Sequence, residues 1–222
     1  MDVHFFFRRR VAFIRQLYES AAEPFIERKR KIQAGEEPFE PPYSEDGEPP
    51  FLAEWSEADE SLHVLGYTCV SMLAAALHLY FRTWENKCHV KAAEHFKSEF
   101  KNGWVAGYRA YSDQIFSIDF ADGPSDLKLI EEIVLARNRA QHPDNLVMTL
   151  PTYTEGDMKK LPRALFIDTG REMYQDLEDG ERQWLMLPTL HVSPEKLSGA
   201  ISEVERFVEW LNPKIEHAVC RR

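Results

Sequence analysis

Cysteine is scarce: Cys69, Cys88 and Cys220 are the three in 222 residues, and no two stand at a paired spacing. That excludes a disulfide framework and a four-cysteine zinc site, and it fits a reducing, cytoplasmic setting. Glycine is sparse too, ten residues all standing singly. No phosphate-cradling loop results, and no G-x-S-x-G turn that would raise a nucleophilic serine. No internal repeat is present, which sets aside solenoids and propellers. An unbroken apolar run is also missing. The most apolar stretch, LHVLGYTCVSMLAAALHLYF, is interrupted by His63, Thr68, Ser71 and His78, and no second span follows, so no membrane partner is expected. The opening MDVHFFFRRR sets its apolar residues ahead of its arginines, the reverse of a secretory leader.

Net positive charge is absent as well. A formal charge of −10 argues at first against a nucleic-acid partner, whose phosphates favour basic surfaces. The distribution changes that inference. Residues 35–62 contain ten carboxylates (Glu36, Glu37, Glu40, Glu45, Asp46, Glu48, Glu54, Glu57, Asp59, Glu60) and no Lys or Arg, so the remainder of the chain is neutral overall. Residues 82–109 set Arg82, Lys87, Lys91, Lys97, Lys101 and Arg109 against Glu85, Glu94 and Glu99. That surplus reads either as a solvated helix face or as a contact for RNA. The acidic segment reads as a face that repels RNA or binds a basic regulator.

What is present is an ordinary soluble composition, 44% hydrophobic and 29% charged, on a chain of single-domain length. Apolar residues Phe7, Val11, Ile14, Tyr18, Ala21 and Phe25 recur at helical steps, predicting an N-terminal helix within residues 1–34 that Pro24 kinks or breaks. Residues 35–53 form an acidic, proline-rich loop. Residues 54–145 read as bundle: a long helix from about Glu54 to Glu85, a third from His89 to about Phe100, and a short one from Tyr108 to Ile118. A further helix over 126–142 is capped by Ser125 or Asp126 and ended before Pro143. Residues 146–192 contain β-favouring runs, LVMTL, RALFID and QWLMLPTLHV, which predict a small β hairpin or insertion. Residues 193–222 supply a returning helix, to about Leu211, with Ser193 as cap and Pro194 at its first position. The expected fold class is mainly α.

One segment of this pattern carries chemistry. EEIVLARNRAQHPDN places Arg137, Asn138 and His142 where the 126–142 helix meets Pro143. A guanidinium can hold and neutralise a phosphate, while an imidazole moves protons at the ribose 2′ hydroxyl or the leaving oxygen. Asn138 and His142 are four apart, on one helix face, so the amide is placed to orient the ring. Arg137 and His142 are about 140° apart on an ideal helix and flank one ligand only if the last turn loosens. With five asparagines in the chain, Arg-Asn followed four later by His arises by chance roughly once in a hundred such sequences. The structural alternative pairs Arg137 with Glu131 or Glu132 and leaves His142 as a helix cap.

In the segment VLARNRAQH, together with the earlier SMLAAALHLYFRTW helix and a helix after it, the chain resembles the HEPN (higher eukaryotes and prokaryotes nucleotide-binding) domains. Their ribonuclease members carry Arg, a polar residue and then His near the end of a late helix. The resemblance implies a HEPN-like bundle and a metal-independent endoribonuclease without cofactor. Arg137 would act on phosphate, His142 as acid or base and Asn138 as support, in a homodimer that shares the site. It implies a toxin or phage-defence setting, with an antitoxin or regulatory protein as a further partner. Many HEPN proteins are instead non-catalytic binding or assembly modules. Arg139, Lys87, Lys91, Lys97 and Lys101 are the expected RNA-binding residues. Pro143 stands where relatives commonly have a small residue, and Asp144 where some toxins carry a modifiable tyrosine. Cys88, His89 and His95 lack a fourth metal ligand at suitable spacing, so no metal is expected. His78 reads as core, and the aromatics Trp104, Tyr108 and Tyr111 read as core or, beside the basic region, as rings that stack on bases.

Overall fold

The computed structural model describes residues 2–41, 49–142, 151–160, 165–167 and 189–221. Helix α1 (Val3–Ala34) begins where the Asp2 carboxylate accepts the Phe5 N–H at 2.9 Å. It ends at Gly35, whose φ of 63° lets the next N–H groups turn back onto the carbonyls of Ile32 and Lys31. Val3, Phe7, Val11, Ile14, Tyr18 and Ala22 form its buried face. Of the kink or break expected at Pro24, the break is absent. Pro24 lies on the exposed side, so the carbonyl of Ser20 that loses its partner faces water.

Helix α2 (Leu52–Cys88) is the central element and packs most extensively against α1 and against α6 (Leu127–Gln141). It is long and apolar enough to cross a membrane, yet half of its most apolar window is buried inside the bundle. His89, at φ 56°, ends it in the left-handed conformation. The single third helix expected after that point is replaced by two short turns, α3 (Ala92–His95) and α4 (Lys97–Phe100). Between them Phe96 leaves helical geometry (ψ 35°) and buries its ring edge-on to Tyr111, with centroids 6.0 Å apart.

Helix α5 (Trp104–Phe116) starts four residues before the Tyr108 expected from sequence. Its cap, Gly103, has no side chain to offer. The carboxylate of Glu131 on α6 accepts the N–H of Trp104 at 2.9 Å and of Val105 at 2.7 Å instead. A cap supplied by a residue so far along the chain leaves no local signal. A 3-10 turn (Phe120–Asp122) leads to α6, capped by Asp126, whose carboxylate accepts the Lys128 N–H at 2.9 Å. After the short α7 (Glu155–Lys160) comes α8 (Pro194–Cys220), with the expected Ser193 cap and Pro194 start. Helix α8 continues well past Leu211, through exposed Pro213, because Ile215 still packs in the core and Asn212 accepts the Tyr80 hydroxyl at 3.3 Å.

Residues 146–150 and 168–188, with them much of the expected β segment, lie outside the described residues. Those described contain two isolated antiparallel bridges, Thr152 with Thr189 and Ile167 with Leu190, and no strand.

The chain entering α8 crosses α2 at Gly66. A Cβ there would meet the Val192 carbonyl oxygen at 2.5 Å and Val192 Cβ at 3.0 Å. Backbone cannot rotate away as a side-chain tip does, so Gly66→Ala should destabilise the fold by about 1–3 kcal/mol. Chemical denaturation would reveal it as a lower midpoint with unchanged slope, and an unchanged midpoint would contradict the close crossing.

Candidate functional site

The spacing of α1 builds one wall of the site. With Phe7, Val11 and Ile14 facing the core, Phe6, Arg9, Arg10 and Phe13 fall on the adjoining flank at steps of three, four and seven residues. On α2, Met72, Ala75, Ala76, Leu79 and Arg82 form the matching flank, with His78 one turn before Arg82. Arg137 of α6 completes it. Together these residues line an open cleft of about 830 Å³.

The charge of this cleft has one sign. Arg9, Arg10, Arg82 and Arg137 line it, no lining residue is a carboxylate, and none of the four is in an ion pair among the described residues. Several other cations are neutralised. Further along α1, Arg28 meets Glu57 at 3.2 Å, Lys29 meets Asp59, and Arg30 meets Glu27 at 2.8 Å and Glu36 at 2.6 Å. The acidic segment therefore spends Glu36, Glu57 and Asp59 on the C-terminal half of α1; in its N-terminal half Arg15 meets Glu205 at 3.2 Å, while Arg9 and Arg10 have no ion-pair partner among the described residues.

Arg137 is held rather than paired. Its Nη1 donates to Asn138 Oδ1 at 3.2 Å, and its Nε is buried without a hydrogen-bond partner among the described residues. The alternative of an ion pair with Glu131 or Glu132 is not realised. Glu131 caps α5, and Glu132 is buried, accepting the Phe166 N–H at 2.8 Å. The charge on Arg137 therefore stays available to a ligand.

His78, expected in the core, instead lines the cleft, half-buried. Its Nε2 accepts the Trp104 indole N–H at 3.3 Å, which leaves the proton of the neutral ring on Nδ1. Burial, then the guanidiniums of Arg137 and Arg82, hold its pKa below the ordinary imidazole value. At neutral pH it brings hydrogen-bonding capacity to the cleft without adding charge.

The remaining predicted site residues are dispersed. His142 is exposed at the C-cap of α6 and does not line the cleft. Its backbone N–H donates to the Asn138 carbonyl at 3.1 Å, while the Asn138 side chain serves Arg137 instead of orienting the imidazole as its spacing suggested. Arg139 is drawn into an ion pair with buried Asp157, Nε to Oδ2 2.9 Å, off-line for a hydrogen bond. Lys87 lies over the Trp84 ring at 4.8 Å and Lys91 donates to Asn86. Lys97 and Lys101 are exposed around α4. None of the five expected RNA contacts lines the cleft. Cys88, His89 and His95 form no metal-binding group among the described residues. Sequence reasoning passed over Phe6, Arg9, Arg10 and Phe13, although their common helix face was a usable signal.

Glu132 anchors the segment after the motif to α6, and burial raises its pKa despite the hydrogen bonds and Lys196 that oppose the shift. A carboxyl whose folded-state pKa lies above its unfolded value binds more protons when native, so stability falls as pH rises through that window. Glu132→Gln should flatten the fall seen above about pH 4.5. Thermal melts across pH 4–8 would check it, and identical profiles for both proteins would contradict a desolvated carboxylate at this position.

Neither a protein-family model, nor a curated protein, nor a solved structure matches this chain.

Proposed function

We propose that this chain is an RNA-binding bundle of HEPN ribonuclease type, which seats the phosphates of RNA in the four-arginine cleft and cuts the strand with Arg137 and His142. The observation that carries the reading is that Arg137, the arginine of the R-N-x3-H motif, opens without a carboxylate partner among the described residues into a cleft shared with Arg9, Arg10 and Arg82. Guanidiniums in such a group suit phosphate oxygens, which accept paired N–H donors.

In the proposed reaction the ribose 2′ oxygen attacks phosphorus and the bond to the 5′ oxygen breaks. A base takes the 2′ proton and an acid protonates the leaving oxygen, giving a 2′,3′-cyclic phosphate and a 5′ hydroxyl. Arg137 neutralises the phosphoryl oxygens, Asn138 steadies the guanidinium, and His142 moves a proton. A homodimer that shares the motif across a dyad is what would carry exposed His142 to a phosphate held by Arg137. The β insertion expected over 146–192 holds, among the described residues, the helix α7 that the sequence did not announce and two isolated bridges, Thr152 with Thr189 and Ile167 with Leu190. A toxin or phage-defence effector, governed by an antitoxin or regulatory protein, is the setting this reading implies.

A second reading, an RNA-binding module without cleavage, is favoured by one observation: His142 is not among the residues that line the cleft. Incubating RNA with purified protein in EDTA separates the two, with Arg137→Ala and His142→Ala beside the parent. Binding without scission by the parent selects the module, and no binding by the parent overturns both.

A further inference from the structure

Phe6 and Phe13 are 49% and 57% exposed, and both belong to the arginine cleft. A lone exposed phenylalanine needs no explanation. Two of them seven residues apart on one helix face, with Arg9 and Arg10 between them, form an alternating track of rings and guanidiniums. They stand about 10 Å apart along the helix axis, at about 1.5 Å per residue, far enough to meet different nucleotides. Leu79, itself 42% exposed, extends the apolar floor from α2, and Arg82 and Arg137 stand on the facing elements.

Stacking on an aromatic side chain requires a base that is not already stacked in a helix, and the bases of an RNA duplex are closed to such rings. Charge alone would accept duplex and single strand alike, whereas rings set among the charges add affinity for unpaired bases only. We infer that the cleft selects unpaired RNA, with Phe6 and Phe13 stacking on bases while Arg9, Arg10, Arg82 and Arg137 hold the phosphates. This rests on the RNA reading above and names the form of RNA that the same site takes. The occupant is a polyanion: among the described residues four guanidiniums and no carboxylate line the cleft, and a dyad placed on the cleft itself would set those four against their own copies, so a dimer that shares the motif meets at its rim and leaves the cleft to RNA.

The test is fluorescence anisotropy with a labelled 2′-O-methyl oligonucleotide of about a dozen nucleotides, presented unpaired or as a blunt duplex. The 2′-O-methyl group removes the nucleophile, so binding is read without scission. The parent should prefer the single strand. Phe6→Leu and Phe13→Leu keep apolar bulk but lose the ring, and each should weaken single-strand binding by roughly 5- to 150-fold with little change for duplex. Phe6→Trp and Phe13→Trp should restore the preference.

Equal affinity of the parent for both forms, or leucine variants that bind the single strand as the parent does, would overturn the inference. So would sedimentation showing that the leucine variants only dissociate a dimer while RNA affinity per protomer is retained. Arg82→Ala and Arg137→Ala identify which statement has failed. If they weaken both RNA forms while the leucine variants change nothing, the inference alone falls; if they too change nothing, the RNA reading falls with it.

Discussion

His142→Ala should slow RNA scission in EDTA by roughly 10²- to 10⁴-fold, the range that general acid–base groups contribute, with RNA affinity nearly unchanged. The reasoning is positional. His142 is exposed at the end of α6 and outside the cleft lining, so its removal takes away a proton carrier and leaves the phosphate-binding arginines in place. Arg137→Ala should behave differently. It deletes a charged donor that no carboxylate compensates among the described residues, and a charge-assisted hydrogen bond is worth about 1.5–3 kcal/mol, or roughly 10- to 150-fold in binding. The salt dependence of single-strand binding should also become shallower by about 0.7 in logarithmic slope for each phosphate that is no longer neutralised. Scission should fall at least as far as binding does. A His142→Ala protein that cuts at the parental rate would remove His142 from the reaction, and an unchanged salt slope for Arg137→Ala would remove Arg137 from the interface.

The second large effect is on stability. Phe81 is fully buried and its ring lies 4.4 Å from Tyr108, 5.4 Å from Trp104, 5.9 Å from Phe120 and 6.3 Å from Phe207. It thereby joins α2 to α5, to the turn before α6 and to α8. Phe81→Ala should cost about 3–5 kcal/mol, since the surrounding rings relax only in part around the vacated space. Against a typical total of about 5–15 kcal/mol that is a large share, equivalent to a fall in Tm of roughly 6 to 20 °C for a chain of this size. The damage should reach the cleft as well, because Trp104, packed on Phe81, supplies the indole N–H that orients His78. Calorimetry gives the first quantity, and a shift of under about 2 °C would contradict the central placement of this ring.

The helices were legible wherever burial repeats at steps of three and four. Val3 to Ala22 on α1 and Leu197 to Ile215 on α8 are such stripes, and Asp126 and Ser193 announce their caps by side-chain chemistry. Legibility failed where a partner distant in the chain decides the outcome. Glu131 extends α5 backward by capping Trp104 and Val105, and Pro24 and Pro213 are tolerated because tertiary packing turns them toward water. The same division runs through the site. Arg137 was visible in a motif and does open into the cleft, whereas the basic run of Lys87, Lys91, Lys97 and Lys101 sits elsewhere.

From its residues alone this protein was bound to be helical, because the period of its apolar residues matches one turn and its scarce glycines seldom interrupt it. They also determined that acid gathers in one segment and arginine in α1. Only the tertiary structure decided which cations stay open to a ligand. Packing α1 and α6 against α2 set Arg9, Arg10, Arg82 and Arg137 around one opening, while the acidic segment was occupied with Arg28, Lys29 and Arg30. Helical period records which face of a helix a residue shares, and it carries no information about which other helix that face will meet.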